Sequence, residues 1–319
     1  MRSTARLLPT FFLERLRKVI PSQKFDTVAN FFTELKPTSF RINSIKTSRE
    51  LIREDLERQG FRLASVPWYA NAFIICEGRL RELEKTESYS KGEIYVQNLS
   101  SMIPPLALDP KPGERVLDLT AAPGSKTTQK ACLMKGEGQI IANESDQVRC
   151  AKLKANVELQ GAKNVEIVLG YGESIGRKFP EYFDRVLLDA PCSAEGRFNV
   201  REPSSYKYWN LKRIYEAAKL QKKLLFSGLA ALKKGGVLVY STCTFAPEEN
   251  EEVINEALEK FTDKIEIETI NLSIPNKMTG LPAWEGKKFH PSLKKAIRIL
   301  PTSEMEGFFI ARMRKRKII

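Results

Sequence analysis

Histidine is nearly absent from this chain of 319 residues, which contains only His290. This scarcity argues against a Ser-His-Asp triad and against a metal site that relies on histidine ligands. The five cysteines are an odd number, and none forms a CxxC pair or another zinc spacing. Free thiols in a reducing cytoplasm fit this pattern better than a disulfide framework. We therefore predict a cytoplasmic protein without a metal ion, in which any catalysis uses thiols, carboxylates or lysines.

Long apolar runs are also missing from the sequence. No run approaches the roughly 20 residues that span a bilayer, and residues 1–9 lack the apolar core of a signal peptide. A hydrophobic fraction of 42% and a charged fraction of 29% are typical of a soluble globular protein. The length is sufficient for two domains, each with its own core. We expect a monomer without a membrane partner.

Negative charge is in deficit, since 52 lysines and arginines outnumber 39 acidic residues and leave a net charge of +13. Basic residues occur throughout the chain and are densest at residues 312–317. This balance suits a polyanionic partner, because each neutralised phosphate releases counterions. A basic protein with a solvated tail is the alternative. Charge alone does not distinguish RNA from DNA.

Residues 1–90 predict a small α+β domain. Residues 10–35 mix apolar and basic positions as helices do, and residues 40–45 alternate as a strand does. A helix capped by Ser48 and extended segments at 61–66 and 72–76 complete a β-α-β-β order. This order resembles an RNA-recognition fold, but no aromatic pair has the base-stacking spacing, so an RNA-binding and a purely structural role both stay open. The expected apolar face of the helix comprises Leu51, Ile52 and Leu56.

Residues 91–319 predict a second, larger domain. Strands and helices alternate along it, which predicts an α/β fold with a doubly wound, mostly parallel, Rossmann-like sheet. Residues 233–236, Lys-Lys-Gly-Gly, should end its longest helix. The helix at 147–159 should bury Val148, Ala151, Leu153 and Ala155. The predicted strands are 115–119, 139–143, 165–169, 185–188, 237–241 and 308–313, and the predicted helices are 126–134, 147–159, 211–232 and 248–258.

The sequence DAPC at residues 189–192 directly follows one of these strands. Proline cannot extend a central strand, so the chain must turn there and carry Asp189 and Cys192 to the carboxyl edge of the sheet. Cys243 follows the next predicted strand and reaches the same edge, where open α/β sheets bind ligands. An acid and two thiols at one edge indicate chemistry on a bound ligand. Inert, buried cysteines are the alternative.

The first βα turn, DLTAAPGSKT at residues 118–127, is rich in small residues and leads into a helix. Small residues let the backbone approach a ligand closely. The turn matches neither the GxxxxGK[ST] phosphate loop nor the GxGxxG dinucleotide fingerprint. Glu144 ends the second strand, where an acid can accept hydrogen bonds from ribose hydroxyls. An adenosyl ligand without a pyrophosphate, such as S-adenosylmethionine, fits these features.

Seven motifs follow one another along the chain: PTSFRINSIK, IYVQNLSSM, DLTAAPGSKTTQ, ANE, LLDAPCSAEG, VYSTCTFAPEENE and GFFIARM. Together they resemble the Nop/Sun-type RNA cytosine-5 methyltransferases over nearly the whole chain. The joint presence of DAPCS and STCT is highly specific. The resemblance implies S-adenosylmethionine as methyl donor and a cytosine in RNA as acceptor. The SKTTQ detail is similar to the bacterial ribosomal-RNA branch, which favours rRNA over tRNA.

The same resemblance assigns the catalytic residues. Cys243 matches the nucleophile, whose thiolate adds to carbon 6 of cytosine and thereby makes carbon 5 able to take a methyl group. Cys192 matches the thiol that takes part in product release. Asp189 would hydrogen-bond ring nitrogen 3, and Lys126 would help to orient the base. Two alternatives stay open: a DNA cytosine-5 methyltransferase, in which Cys192 attacks, and a non-catalytic RNA-binding assembly factor.

The cofactor contacts follow from the resemblance as well. Glu144 would hold the ribose, with Arg149 nearby, and Asp189 would lie between the cofactor and the base. Tyr171 stands near the position of the usual aspartate for the adenine amino group, so that contact would fall to a neighbour such as Gly172. The methionine part of the cofactor would be wrapped by Thr120, Ala121, Ala122, Pro123, Gly124, Ser125 and Lys126.

A paired cytosine cannot reach such a pocket, so the target is expected to be single-stranded or flipped out of its stack. The basic segment at residues 197–207 would contact the RNA backbone. Aromatic residues in and beside it would either stack on bases or pack inside the protein. These residues are Phe198, Tyr206, Tyr208 and Trp209.

Overall fold

The amino-terminal part of the chain forms a small sheet with its own helices. The structure is a computed structural model that describes residues 7–317, so residues 1–6 of the segment examined for a signal peptide lie outside the described residues. The elements are, in chain order, α1 (Thr10–Val19), α2 (Ser22–Phe31), β1 (Ser39–Ile42), α3 (Arg49–Arg58), β2 (Arg62–Ser65), β3 (Ala72–Glu77), α4 (Leu80–Leu83), α5 (Glu87–Ser90) and β4 (Ile94–Val96).

This small sheet has four antiparallel strands in the order β2-β3-β1-β4. Its last strand, β4, lies beyond residue 90, where the sequence suggested that the first domain ends. Helices α1 and α2 lie away from this sheet. The ring of Phe12 is 4.8 Å from that of Phe198, and the ring of Phe32 is 6.1 Å from that of Phe245. The two amino-terminal helices therefore pack against the larger part of the chain.

Helix α3 begins where the sequence predicts. The hydroxyl of Ser48 accepts a hydrogen bond from the backbone N–H of Leu51, which satisfies a donor that the first helical turn leaves unpaired. The helix buries Ile52 and Leu56, which are four residues apart and share one face. The prediction that Leu51 belongs to this face is wrong, since its side chain is 61% exposed. Consecutive side chains of a helix point about 100° apart around its axis, so Leu51 points away from the face that Ile52 occupies.

The rest of the chain builds the main sheet of nine strands. Its elements are, in chain order, α6 (Leu99–Leu108), β5 (Arg115–Asp118), α7 (Ser125–Leu133), β6 (Gln139–Glu144), α8 (Gln147–Gln160), β7 (Val165–Leu169), α9 (Ile175–Lys178), β8 (Phe183–Asp189), α10 (Leu211–Ala231), β9 (Leu232–Thr242), α11 (Glu251–Lys260), β10 (Ile265–Glu268), β11 (Lys277–Thr279), β12 (Ala283–Trp284), β13 (Lys287–Lys288), β14 (Ile297–Ile299) and β15 (Phe308–Lys315).

The main sheet confirms the predicted Rossmann-like α/β fold. Its strand order is β11-β14-β15-β9-β8-β5-β6-β7, with β10 also paired to β15. The five strands β5 to β9 are parallel, and their helices cross over between them. The remaining strands are antiparallel and extend the sheet beyond β9. The strands β12 and β13 form a separate hairpin.

Three details differ from the sequence prediction. Residues 233–236 lie in β9 and do not end α10, because Leu232 already has extended backbone angles. Helix α8 buries Leu153 as expected, but Val148 is 68% exposed, and Ala151 and Ala155 are also exposed. Its buried face follows the helical spacing of Leu153, Val157 and Gln160 instead. The short strands β10, β11 and β14 have too few residues for their alternation to stand out in the sequence.

The core covers both faces of the main sheet. Along β9, Leu238 and Tyr240 pack into one apolar cluster, while Val237 and Val239 pack into the other. This alternation is the period of two that a strand imposes on its side chains. With both faces covered by apolar packing, polar groups collect where the parallel strands end. The carboxyl edge of β8 and β9 is therefore the natural place for a site.

Candidate active site

Two turns at the carboxyl edge of the sheet bring the predicted thiols together. Strands β8 and β9 are parallel neighbours, and Asp189 is paired in register with Ser241. The chain then turns after each strand, and the Sγ atoms of Cys192 and Cys243 come to lie 3.4 Å apart. All five cysteines of the chain are free. The structure thus unites two residues that are 51 positions apart in the sequence.

The two thiols have different surroundings. Cys243 lines a cavity at the sheet edge, whereas Cys192 contacts Cys243 without lining that cavity. The hydrogen bond between the two sulfur atoms, together with burial, raises the pKa of the Cys192 thiol well above its ordinary value. Cys192 therefore keeps its proton near neutral pH and can donate it toward the sulfur of Cys243. This arrangement suits Cys243 as the nucleophile of the pair.

Asp189 and Lys126 form an oriented pair on the wall of the same cavity. Lys126 Nζ donates to Asp189 Oδ2 at 2.7 Å and to the hydroxyl of Ser101 at 2.7 Å. The hydroxyl of Ser241 donates to Asp189 Oδ1 at 2.7 Å. Because both carboxylate oxygens have donors, the orientation of Asp189 is fixed before any ligand arrives. A carboxylate and an ammonium group held in this way can hydrogen-bond a polar ring.

The cavity has a volume of about 390 Å³, which is within the range of small-molecule sites. A larger cleft of about 680 Å³ lies beside β10 and contains none of the predicted site residues. The cavity is lined by the predicted residues Thr120, Ala121, Ala122, Pro123, Ser125, Lys126, Arg149, Asp189 and Cys243. It is also lined by residues that were not predicted, namely Tyr95, Val96, Gln97, Asn98, Ser101, Asp118, Arg197, Glu306 and Phe308.

Glu144 lies at the end of β6, beside the cavity wall. The carboxyl group is buried, and its Oε1 accepts hydrogen bonds from the backbone N–H groups of Ser145 and Asp146. Its Oε2 has no hydrogen-bond partner within residues 7–317, although Arg149 Nη1 lies 3.4 Å away. Arg149 in turn donates to the carbonyl of Ala122 at 2.8 Å. A buried acceptor with a spare lone pair fits the hydroxyl donors of a ribose.

The first βα turn has a backbone that only glycine adopts easily. Gly124 has a φ of +109° and caps the amino end of α7, which places Ser125 and Lys126 on the cavity. The hydroxyl of Thr120 donates to the backbone carbonyl of Asp189 at 2.8 Å. Thr120 therefore ties the cofactor turn to the turn that follows β8. The side chain of Thr120 therefore helps to fix the shape of this edge.

Gly172 is placed differently from the other predicted cofactor residues. It is buried outside the cavity lining, and a Cβ at this position would lie 2.6 Å from Leu224 Cδ2 and 3.3 Å from the carbonyl oxygen of Leu119. Close packing is therefore sufficient to explain a glycine here. Its neighbour Tyr171 is 74% exposed. The contact to an adenine amino group stays a prediction.

The candidate RNA-stacking aromatics are mostly packed inside the protein. Phe198 is buried against Phe12, and the Trp209 indole donates to Glu195 at 2.9 Å. Tyr206 is partly buried against the same core. Tyr208 is the exception, with 58% of its surface exposed. Within this group, only Tyr208 offers a ring to a partner.

The basic run at residues 312–317 is also not a free tail. It lies mostly in β15, where Arg312 and Arg314 both form ion pairs with Glu268. Lys315 pairs with Glu181 at 3.0 Å. Arg197 instead lines the cavity mouth together with Glu306, whose charge raises the pKa of the guanidinium. Positive charge at the site thus comes from Arg197, Lys126 and Arg149 rather than from the tail.

A buried polar loop follows Cys243, and sequence reasoning missed it. The sequence predicts a helix from residue 248, but α11 begins only at Glu251. The side chains of the run Glu248-Glu249-Asn250-Glu251 are each at most 3% exposed, although four polar residues in a row suggest a solvated surface. The signal that could have identified it is the position of the run directly behind a site strand. Every member bonds to a different part of the chain.

Within residues 7–317, no cluster of three or more histidine, cysteine or acidic side chains is arranged to hold a metal ion. In the same range, no helix combines the length and apolar character needed to cross a bilayer.

The fold of the chain and the arrangement of groups at this edge of the sheet are together those of a Rossmann-like methyltransferase. Residues 105–314 match the family model described as 16S rRNA methyltransferase RsmB/F. Residues 8–99 match the model described as the N-terminal domain of 16S rRNA methyltransferase RsmF. The chain therefore belongs to the RsmB/F methyltransferase family, which confirms the resemblance read from its motifs.

Two curated relatives align over almost the whole chain. The tRNA (cytosine(49)-C(5))-methyltransferase of Pyrococcus abyssi is 41% identical over 313 residues, which are 95% of this chain and 95% of that protein. The ribosomal RNA small subunit methyltransferase F of Vibrio campbellii is 38% identical over 314 residues, which are 97% of this chain. The chain spans only 63% of the length of this second relative.

Solved structures show the same fold. The methyltransferase homolog protein from Pyrococcus horikoshii has a TM-score of 0.84 at 34% identity, with 99% of both chains covered. NSun6 from Pyrococcus horikoshii has a TM-score of 0.80 at 23% identity, with 98% of this chain and 99% of that one covered. At that identity the second likeness supports the fold alone.

Proposed function

We propose that this protein transfers a methyl group from S-adenosylmethionine to carbon 5 of a cytosine in RNA, through a transient bond from Cys243 to the base. One observation carries the proposal. Cys243 lines the same cavity as the small-residue turn and the Lys126–Asp189 pair, and its Sγ lies 3.4 Å from that of Cys192. A nucleophile, a proton carrier and base-orienting groups thus meet at one cofactor-sized cavity.

The cofactor would be held by residues that are already oriented. The turn at residues 121–126 would contact its methionine part, and Glu144 with its spare Oε2 would accept from the ribose hydroxyls. Arg149 fixes the turn by its bond to the carbonyl of Ala122. When bound, S-adenosylmethionine supplies an electrophilic methyl group and leaves as a neutral thioether.

Cys243 would activate the base. Carbon 5 of cytosine is a poor nucleophile, and addition of the Cys243 thiolate to carbon 6 converts carbons 5 and 4 into an enamine. The charge that this addition pushes onto the ring requires a donor at ring nitrogen 3. Asp189 is held in place for this contact, with the ammonium group of Lys126 as the donor.

Cys192 would resolve the covalent adduct. After methyl transfer, carbon 5 still bears a proton that must leave before the bond between carbon 6 and Cys243 Sγ can break. Once Cys243 Sγ is bonded to carbon 6, it is a weaker acceptor for the proton of Cys192, so Cys192 passes that proton to solvent. Its thiolate then takes the carbon 5 proton, directly or through water. The electron pair of the broken C–S bond then returns to Cys243. The raised pKa of Cys192 makes its thiolate a strong proton acceptor.

The RNA would enter as a single strand or with the target base flipped, because the cavity has room for a base but not for a duplex. Arg197 at the cavity mouth would contact the phosphate next to the target. The relatives are named for both rRNA and tRNA substrates, and the SKTTQ motif favours rRNA. We further propose that the protein acts as a monomer in the cytoplasm.

The test uses variants of single cysteines and labelled S-adenosylmethionine with purified rRNA and tRNA. Cys243→Ala should abolish methylation, and Cys192→Ala should accumulate a covalent protein–RNA adduct that survives denaturing electrophoresis. Cys76→Ala, in the small sheet and exposed, is the matched control and should behave as wild type. Activity in Cys243→Ala combined with a dead Cys192→Ala would instead support attack by Cys192, as in DNA cytosine-5 methyltransferases.

Two further measurements address the alternatives. Absence of S-adenosylmethionine binding in calorimetry would support a non-catalytic assembly factor. Bisulfite sequencing of total RNA from cells with and without the protein identifies the RNA and the cytosine. A change confined to tRNA would overturn the preference for rRNA.

A further inference from the structure

The loop behind Cys243 is a run of buried polar side chains, each bonded to a different element. Glu248 forms an ion pair with Arg15 of α1 at 2.6 Å. Glu251 forms a two-pronged ion pair with Arg298 of β14. Buried carboxylates are normally stabilised by such cations. Glu249, which lies between these two, is the exception.

Glu249 is buried without a cationic partner among residues 7–317. Its Oε2 accepts from the backbone N–H of Ser193 at 3.0 Å and from Gln221 Nε2 at 2.8 Å. Its Oε1 makes a very short hydrogen bond with the hydroxyl of Ser193. A carboxyl group in these surroundings is more stable as a neutral acid than as an anion.

Glu249 begins a chain of four polar groups. Ser193 Oγ lies 2.8 Å from Thr244 Oγ1, and Thr244 Oγ1 lies 2.9 Å from Glu195 Oε2. Glu195 also accepts from the Trp209 indole at 2.9 Å and from the backbone N–H of Phe245 at 3.0 Å. Burial raises the pKa of Glu195 too, but these donors and the charge of Arg15 oppose that rise. Glu195 is therefore the better site for the negative charge.

A count of the protons along this chain of hydrogen bonds shows that one proton must come from a carboxyl group. Three close O···O contacts join Glu249, Ser193, Thr244 and Glu195, and each contact needs one proton. The two hydroxyl groups supply only two protons. A proton on Glu249 Oε1 completes the chain, since each group then donates toward Glu195. If both carboxyl groups were ionised, one contact would set lone pairs against each other at hydrogen-bond distance. Glu195 already accepts from Trp209 and Phe245, so the proton belongs on Glu249.

We propose that Glu249 is a neutral acid in the working enzyme and acts as a positioning residue that holds the turns of Cys192 and Cys243 together. The inference rests on the proposed function, since it gives these two thiols their roles. Ser193 directly follows Cys192, and Thr244 directly follows Cys243. The Ser193–Thr244 hydrogen bond therefore joins the same two turns as the 3.4 Å contact between the sulfur atoms.

Electrostatics at this position agree with the geometry. Burial raises the pKa of Glu249 to about 8. Its hydrogen bonds with Ser193 and Gln221 oppose that shift, and the neighbouring charge of Glu195 adds to it. The ionisable groups facing Glu249 are Cys192, Glu195 and Tyr240, beyond which lie the Arg15–Glu248 and Arg298–Glu251 pairs.

The consequence is a loss of alignment at high pH. At pH values below the pKa of Glu249, the chain of hydrogen bonds from Glu249 to Glu195 is complete. At pH values above that pKa, the Ser193–Thr244 contact loses its proton and the two turns separate. Release of the product, which needs Cys192 beside the adduct on Cys243, should then slow. Wild-type turnover should fall as the pH rises through about 8 and the covalent adduct should build up.

The experiment compares the pH dependence of methylation in wild type, Glu249→Gln, Glu249→Ala and Glu256→Gln. The amide of Glu249→Gln can donate to Ser193 and accept from Gln221, so it should rescue the activity that Glu249→Ala loses. The ratio of the Glu249→Gln rate constant to the wild-type one should rise by up to about tenfold per pH unit above the transition. Glu256→Gln, a partly exposed glutamate of α11 that pairs with Lys222, should follow wild type at every pH.

A second readout separates this inference from the proposed function. The infrared carbonyl band of a protonated carboxyl group should be present in the wild-type protein without RNA at neutral pH, and should be weaker in Glu249→Gln. If the wild-type protein methylates no RNA, the proposed function is wrong, but the infrared band should still be present. Parallel pH profiles for wild type and Glu249→Gln, or a band that Glu249→Gln leaves unchanged, would overturn the role of Glu249. If the wild-type protein shows no such band at neutral pH, the proposed role of Glu249 is wrong, whatever the variant shows.

Discussion

The ion pair between Arg15 and Glu248 should be one of the strongest single links in the protein. It joins helix α1 to the loop behind Cys243, across 233 positions of sequence. The side chains are 6% and 4% exposed, and their charged atoms lie 2.6 Å apart. Trp284 completes the site, because its indole donates to Glu248 Oε1 at 3.0 Å. The change Arg15→Met keeps the apolar stem of the side chain and removes only the charge.

The expected cost of Arg15→Met follows from the carboxylate that it strands. Removing one partner of a buried pair typically destabilises a protein by about 3–5 kcal/mol. The stranded group can escape by taking a proton, which costs an ordinary carboxyl group about 3.7 kcal/mol at pH 7. We therefore expect a loss of about 3–4 kcal/mol at pH 7. This loss should shrink by about 1.4 kcal/mol for each pH unit below 7, since protonation becomes easier.

The double variant Arg15→Met/Glu248→Gln removes the stranded charge and keeps an acceptor for Trp284. It should be more stable than Arg15→Met alone, with a coupling energy of at least about 2 kcal/mol in the mutant cycle. Urea denaturation followed by circular dichroism at pH 7 and pH 5.5 measures all of these values. Lys18→Met is the control on the same helix, since its pair with Glu285 is exposed and should contribute less than about 1 kcal/mol.

Two results would refute this reasoning. One is a cost of Arg15→Met below about 1 kcal/mol at pH 7, which would mean that the pair behaves like a surface ion pair. The other is a cost that does not change with pH. That result would show that the destabilisation comes from lost packing rather than from an unpaired carboxylate.

Three further predictions concern other parts of the site. In Glu249→Gln, the stability relative to wild type should rise by about 2.5 kcal/mol from pH 5 to pH 7. The reason is that folded wild type holds a proton with a pKa of about 8, which its unfolded chain releases near 4.5. Thermal unfolding at both pH values measures this difference. Glu144→Gln should weaken S-adenosylmethionine binding about tenfold or more in calorimetry, while Glu158→Gln on the exposed face of α8 should not. Gly196→Ala should destabilise the protein by about 1–3 kcal/mol in denaturation, because its Cβ would lie 2.2 Å from the carbonyl oxygen of Gly307.

The parallel sheet and its thiol edge could be predicted because their signals are local. Strand β8 contains a short apolar run and ends at Asp189, two residues before a proline. This pattern alone places Asp189 and Cys192 at the carboxyl edge. Cys243 follows from the same rule applied to β9. The antiparallel strands β10 and β14 have only four and three residues. Their place in the sheet is decided by pairing with β15, which no local pattern records.

The buried loop behind Cys243 could not be predicted for a different reason. Four polar residues in a row are normally solvated, because burying them requires a partner for each. The partners exist here, but Arg15 and Arg298 are 233 and 47 positions away from the residues they bind. The net positive charge suggested more basic surface than the protein has, again because ion pairs between distant residues are not visible in the sequence. Arg15, Arg298 and the arginines of β15 serve internal ion pairs, so the charge count overstates what is free for RNA.

The small sheet is part of the frame of the proposed cofactor site. Arg41 of β1 is fully buried, and it donates to Thr128 Oγ1 at 2.7 Å and to the carbonyl of Ser125 at 3.1 Å, both in α7. The segment after β4 also supplies Gln97 and Asn98 to the cavity wall. A buried arginine is stable only while all of its acceptors are present. The small sheet therefore fixes the helix whose amino end lines the cavity.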